Sequence, residues 1–76
     1  MKKTIKAWIE PDEGGFTAQC FDINVVTQGD TLDETLANLR EAVTLYLDGE
    51  DLAELGFVED PCLLVTIETE LESRAG

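Results

Sequence analysis

Thr31-Leu32-Asp33-Glu34-Thr35-Leu36-Ala37-Asn38-Leu39-Arg40-Glu41-Ala42-Val43-Thr44-Leu45-Tyr46 is the stretch that decides the fold. Leu32, Leu36, Leu39, Val43 and Tyr46 recur at alternating steps of four and three, which sets them on one stripe of an α-helix. Thr31 suits the N-cap, with Glu34 three residues on to complete a capping box. Asp33 and Glu34 also favour the positive end of the helix dipole. Gly49, directly after Asp48, suits the helix stop. A helix with one apolar stripe covers one face of one sheet, so the rest of the chain is expected to supply that sheet.

Upstream the period changes from helical to two. Over residues 3–10, Ile5, Ala7 and Ile9 alternate with Lys6, Trp8 and Glu10, the pattern of a strand. Pro11-Asp12-Glu13-Gly14-Gly15 reads as a turn, in which Pro presets φ and the glycines permit positive φ. Phe16 to Phe21 returns as a second strand and closes a hairpin. Asp22-Ile23-Asn24 reads as a bend, and Val25 to Gln28 as a short third strand ended by Gly29. Downstream, residues 50–60 are acidic, with Leu52 and Leu55 able to pack in one helical turn before Gly56. After Pro61 a last strand is expected over about residues 62–69. The order is β-β-β-α-β: an α+β domain spanning residues 1–76, with one antiparallel-rich sheet and a single helix on one face. The first and last strands are expected to lack internal proline and to stand as edges, with Lys3, Lys6, Glu68 and Glu70 as partial blockers.

This phasing places Ile5, Ala7, Ile9, Phe16, Ala18, Cys20, Leu63, Val65 and Ile67 under the helix. The opposite face then shows Lys6, Trp8, Gln19, Phe21, Leu64, Thr66 and Glu68. That face is too polar for a core and too aromatic for an idle surface. Two readings stand side by side. Trp8, Phe21, Leu64, Thr66 and Glu68 form a contact surface for a second copy or another protein, or the acidic loop folds over Trp8 and Phe21.

A chain of 76 residues allows one domain and buries roughly 60% of its unfolded surface. The formal charge is −12, from seventeen acids against five bases. Lys2, Lys3 and Lys6 crowd the start, and Arg40 and Arg74 are the other bases. Such a surface repels nucleic acid and anionic membrane and attracts a basic partner; the blander reading is solubility. No apolar run approaches the roughly 20 residues of a membrane span, and no apolar h-region follows the lysines, so a cytoplasmic setting is expected. Cys20 and Cys62 lie in apolar stretches and read as core residues rather than as a disulfide framework or zinc site.

The chemistry of catalysis is sparse. The chain has no histidine, and its only serine is Ser73, in an expected tail. A Ser–His or Cys–His nucleophile therefore cannot be assembled. Gly14-Gly15 is part of a turn, since neither phosphate-loop pattern occurs. Glu10, Asp12 and Glu13, and likewise Asp48, Glu50 and Asp51, lack calcium-loop spacing and read as solvated acids. No catalytic residue, cofactor or metal is expected.

Three segments together resemble the HicB-like antitoxin family: Glu10-Pro11-Asp12-Glu13-Gly14-Gly15-Phe16, Thr27-Gln28-Gly29-Asp30-Thr31-Leu32-Asp33-Glu34 and Ala37-Asn38-Leu39-Arg40-Glu41-Ala42. The resemblance covers about residues 4 to 48 and, loosely, the last strand. It implies a β-β-β-α-β core, a partial ribonuclease H-like fold without its active site. It also implies a prokaryotic antitoxin whose partner is a small basic messenger-RNA-cleaving toxin of the HicA type. Two departures stand out. Where the family has a Pro-Asp-Leu-Pro-Gly-Cys-like segment, this chain reads Phe21-Asp22-Ile23-Asn24-Val25-Val26, and only Asp22 and Ile23 match. Complete antitoxins usually carry a C-terminal DNA-binding module, and a chain ending at Gly76 leaves no room for one, so autorepression is not expected. The expected role is toxin neutralisation by protein contact. The alternative is a stand-alone homo-oligomeric module. A homodimer or higher homo-oligomer is expected, with the two-fold dimer favoured, and no direct nucleic-acid binding.

Overall fold

The computed structural model describes residues 1–71; Ser73 and Arg74 lie outside the described residues. The elements are β1 (Lys2–Asp12), β2 (Gly15–Cys20), β3 (Val26–Gly29), α1 (Leu32–Leu47) and β4 (Phe57–Ile67). They build a four-stranded sheet of order β3-β2-β1-β4 with the helix on one face, the α+β arrangement expected from the patterning. β1 pairs antiparallel with β2, and β2 with β3. β4 returns parallel to β1, with Ile5 beside Leu63, Ala7 beside Val65 and Ile9 beside Ile67.

The hairpin turn is tighter than the Pro-to-Gly stretch predicts. Pro11 and Asp12 still belong to β1, opposite Phe16 and Gly15. The turn itself is Glu13-Gly14, with φ of 42° and 84°. Positive φ at both central residues matches the right-handed twist of the two strands. Gly15 serves a close approach instead, since a Cβ there would stand 2.5 Å from the Gly29 carbonyl oxygen.

The expected edges are also corrected. β1 is interior, between β2 and β4, so β3 and β4 are the edges. Pro61 lies inside β4, where three extra residues bulge between the Lys2–Phe57 and Thr4–Cys62 pairings. Alternation along a strand reports which face is buried; it does not report strand order, and a parallel return through a helix changes that order.

α1 begins at its expected cap: the Thr31 hydroxyl accepts from the Glu34 N–H at 3.1 Å. The Glu34 carboxylate accepts from the Asp30 N–H at 3.4 Å, one residue earlier than a standard box. The helix ends with Asp48 donating to the Thr44 carbonyl and with Gly49 at φ 79°. Leu39, Val43 and Thr35 are buried, while Leu32, Leu36 and Tyr46 are partly so. Thr35 is a core residue the apolar stripe does not reveal; its hydroxyl donates to the Thr31 carbonyl at 2.7 Å. Gly29 lets the helix approach β3, since a Cβ there would stand 2.8 Å from the Thr35 nitrogen.

The core consists of Ile5, Ala7, Ile9, Ala18, Cys20, Ile23, Val25, Leu39, Val43 and Phe57. Phe57 opens β4 out of the acidic segment. Leu52 packs onto the same core, and the Asp51 carboxylate caps the turn by accepting from the Ala53 N–H at 3.1 Å. Leu55 is exposed.

Candidate functional site

Side-chain alternation sends Trp8, Leu64 and Thr66 to the helix-free face, as the sequence phasing expects. Trp8 stands between Gln19 on β2 and Thr66 on β4, and Lys6 stands beside Leu64. Phe21 follows β2, and its N–H donates to the Lys6 carbonyl at 2.8 Å. Its ring meets Trp8 at a centroid distance of 4.3 Å and 45° between planes. Phe21 is 65% exposed, so the acidic loop does not fold over it; Trp8 is half-buried and Leu64 is 51% exposed. Thr66 and Glu68 are exposed farther along, and the Glu68 N–H donates to the Ile9 carbonyl at 2.8 Å. Of the predicted surface residues, Trp8 and Phe21 touch one another; Leu64 and Thr66 share their face, and Glu68 follows the end of β4.

A carboxylate that the patterning leaves unassigned holds the aromatic pair in place. Asp22 accepts from the Lys6 backbone N–H at 2.8 Å and from the Lys2 ammonium at 3.3 Å. The carboxylate thus takes the place of the next backbone acceptor in the β2–β1 ladder, directly after Phe21. The Lys6 N–H bond, with help from the Lys2 and Lys6 charges, holds the Asp22 carboxyl below its ordinary range against a smaller opposing effect of burial. Lys2 also stands over the Phe57 ring at 5.6 Å. The signal for Asp22 is its place in the segment resembling the antitoxin pattern, where it is one of the two matching residues.

On the other face the helix leaves a gap. α1 packs over β3 and β2, and an α-helix of roughly 10–12 Å diameter spans only about two strands at their roughly 4.8 Å spacing. The expectation that α1 covers the whole inner row of β4 is therefore corrected. Leu63 and Val65 are half-buried, and Ile67 is 47% exposed. Between α1 and β4 runs a groove of about 500 Å³, walled by Leu36, Arg40, Val43, Leu47, Leu63 and Val65 among others.

The cysteines are free and unlike one another: Cys20 is buried and Cys62 exposed, which corrects the reading of Cys62 as a core residue. Burial, and after it the Asp22 charge, push the Cys20 thiol up, away from thiolate reactivity. Among the described residues no three His, Cys, Asp or Glu side chains converge to hold a metal ion. Among them, no helix is long and apolar enough to cross a membrane.

Comparison with known proteins gives a family relation. The chain is 42% identical over 55 residues to a UPF0150 protein of Helicobacter pylori, a match covering 71% of this chain and 76% of that one. No family model matches the chain. No solved structure matches it significantly.

Proposed function

The chain belongs to the UPF0150 family, and from that premise we propose that it is a HicB-like antitoxin domain. In this reading it neutralises a small basic HicA-type messenger-RNA-cleaving toxin by protein contact and performs no catalysis itself. The observation that carries the reading is the family relation, with which a HicB-like kinship agrees, taken with the antitoxin-like segments. The charge of −12 supports it physically, because a basic nuclease surface built to hold RNA is drawn to a dense array of carboxylates. The setting is the bacterial cytoplasm, where messenger RNA lies within the toxin's reach.

The test is a messenger-RNA cleavage assay. The toxin to be assayed is the product of a neighbouring reading frame that encodes a small basic protein with a catalytic histidine; absence of such a frame favours the stand-alone homo-oligomeric module. Equimolar chain abolishes cleavage in the proposed reading, and the chain alone degrades no RNA with Mg²⁺ or Mn²⁺. Cleavage that continues under excess chain, or metal-dependent turnover by the chain itself, contradicts it.

The exposure of Phe21 and Leu64 beside Trp8 favours a second element of the reading, a homodimer through the helix-free face. Two copies of charge −12 repel one another, so this dimer tightens from low salt to about 0.15 M. Trp8→Glu weakens it and leaves the monomer folded. A monomer at every salt concentration by light scattering rules this dimer out.

A further inference from the structure

We propose that the outer edge of β4, with the groove beside it, receives one extended strand of a basic protein, apolar at its centre and carrying lysine or arginine at both ends. The proposal rests on the reading of the chain as a binding module for a basic protein, and it supplies the place and form of that contact.

Backbone geometry fixes which groups are available. In a parallel pair each residue turns its N–H and C=O to the same side, and successive residues alternate. Glu68 donates to Ile9 on β1, so Thr66 and Leu64 also turn inward. Leu63, Val65 and Ile67 therefore turn their N–H and C=O groups outward, where no strand of the described residues meets them. The side chains of these same residues point to the helix side; Leu63, Val65 and Ile67 all line the groove toward Leu36, Val43 and Leu47. A strand laid along β4 thus gains hydrogen bonds from the residues whose side chains it covers. This is strand addition with an adjoining apolar pocket.

Charge selects the occupant. Pro61-Cys62-Leu63-Leu64-Val65-Thr66-Ile67 carries no charge, and exposed Glu59 and Asp60 precede it while exposed Glu68 and Glu70 follow. A second copy fits poorly. Two-fold antiparallel pairing centred on Leu64 sets Asp60 against Glu68 of the other copy at both ends. Centring on Val65 sets Asp60 against Glu70 instead. Like charges directly opposite destabilise a strand pair. A partner with cations at both ends reverses each of these contacts. The groove wall also carries Arg40, which is exposed on the helix.

Amide hydrogen exchange of the whole chain, resolved by NMR, tests the proposal without the toxin. The probe is a synthetic peptide of about nine residues, alternating valine and threonine with paired lysines at each end; the control replaces the lysines by glutamates. In the free chain the amides of Leu63, Val65 and Ile67 exchange fast and those of Leu64 and Thr66 slowly. The lysine peptide slows the fast set by at least about tenfold, or roughly 1.4 kcal/mol, and the glutamate peptide does not. Val65→Pro removes an outward N–H and no bond to β1, so it abolishes this response in a folded chain; should that variant not fold, the unmodified chain still decides. The proposal is overturned by no slowing, by equal slowing with both peptides, or by a fast set already protected in the free chain, which would place a second copy on the edge. Since the peptide is not the toxin, such a result removes the edge site and leaves the cleavage assay to judge the antitoxin reading separately.

Discussion

The two edges of the sheet, β3 and β4, are finished in opposite ways. β3 is four residues long and lies under the helix. Gly29 admits the backbone of Thr35, and Asn38 on the helix donates to the Gln28 carbonyl at 2.9 Å. β4 is eleven residues long, uncharged from Pro61 to Ile67, and only partly overlaid. Natural sheets usually blunt such an edge with charge, proline or cover. Here acids and Pro61 stand at the ends, and the middle is open. A domain with one helix has the width to close one side of its sheet. The other side, at β4, stays open among the described residues and is where the partner strand is proposed to bind.

Substitutions on the two sides therefore differ in size. Leu39→Ala, beneath the helix, leaves a cavity and costs about 2–5 kcal/mol in thermal or denaturant unfolding. That is a large share of the roughly 5 kcal/mol to be expected of so small a domain. If Leu39→Ala scarcely lowers the melting temperature, the helix does not close the β3 side as described. Asn38→Ala removes the donor to the Gln28 carbonyl and costs roughly 0.5–1.5 kcal/mol. Its local signature is faster amide exchange in β3 with β4 unchanged.

Acid acts away from the open edge as well, through Asp22. Its folded carboxyl titrates below its ordinary range, chiefly because of the Lys6 N–H, so its contribution is fully present above the unfolded value of about 3.9. That contribution is lost as pH falls through the lower folded value. Asp22→Asn flattens this part of the acid-unfolding curve and loosens Phe21 from Trp8, visible as a change in tryptophan fluorescence. An unchanged acid limb would show that Asp22 clamps nothing. The smallest effect belongs to the open side: Ile67→Thr, at a half-exposed position on β4, shifts stability by no more than about 0.5 kcal/mol. A loss as large as that of Leu39→Ala would mean that β4 is covered after all.

Periodicity made much of this legible. The step pattern from Leu32 to Tyr46 located the helix, and alternation about Ile5, Ala7 and Ile9 assigned the buried face correctly. Features without a period were harder to read. Thr35 is buried because Gly29 draws the helix close, a fact held by two residues on different elements. Phe57 is an isolated aromatic in an acidic stretch, so no repeat marks it as core. Asp22 owes its role to a backbone N–H sixteen residues earlier in the chain. The groove was hidden for a geometric reason: the sequence shows which face the helix covers, and only strand order and helix width show how far the cover extends. The helix-free face with Trp8, Phe21 and Leu64 was legible as a surface, and its partner is a matter for experiment.

The most direct measurement is calorimetric titration of the chain with a HicA-type toxin at low salt and again at about 0.15 M. The expected result is a saturable complex that weakens as salt rises, opposite in sign to the salt response of the homodimer. No binding at low salt, or an affinity indifferent to salt, would contradict the claim that this acidic domain works by capturing a basic protein.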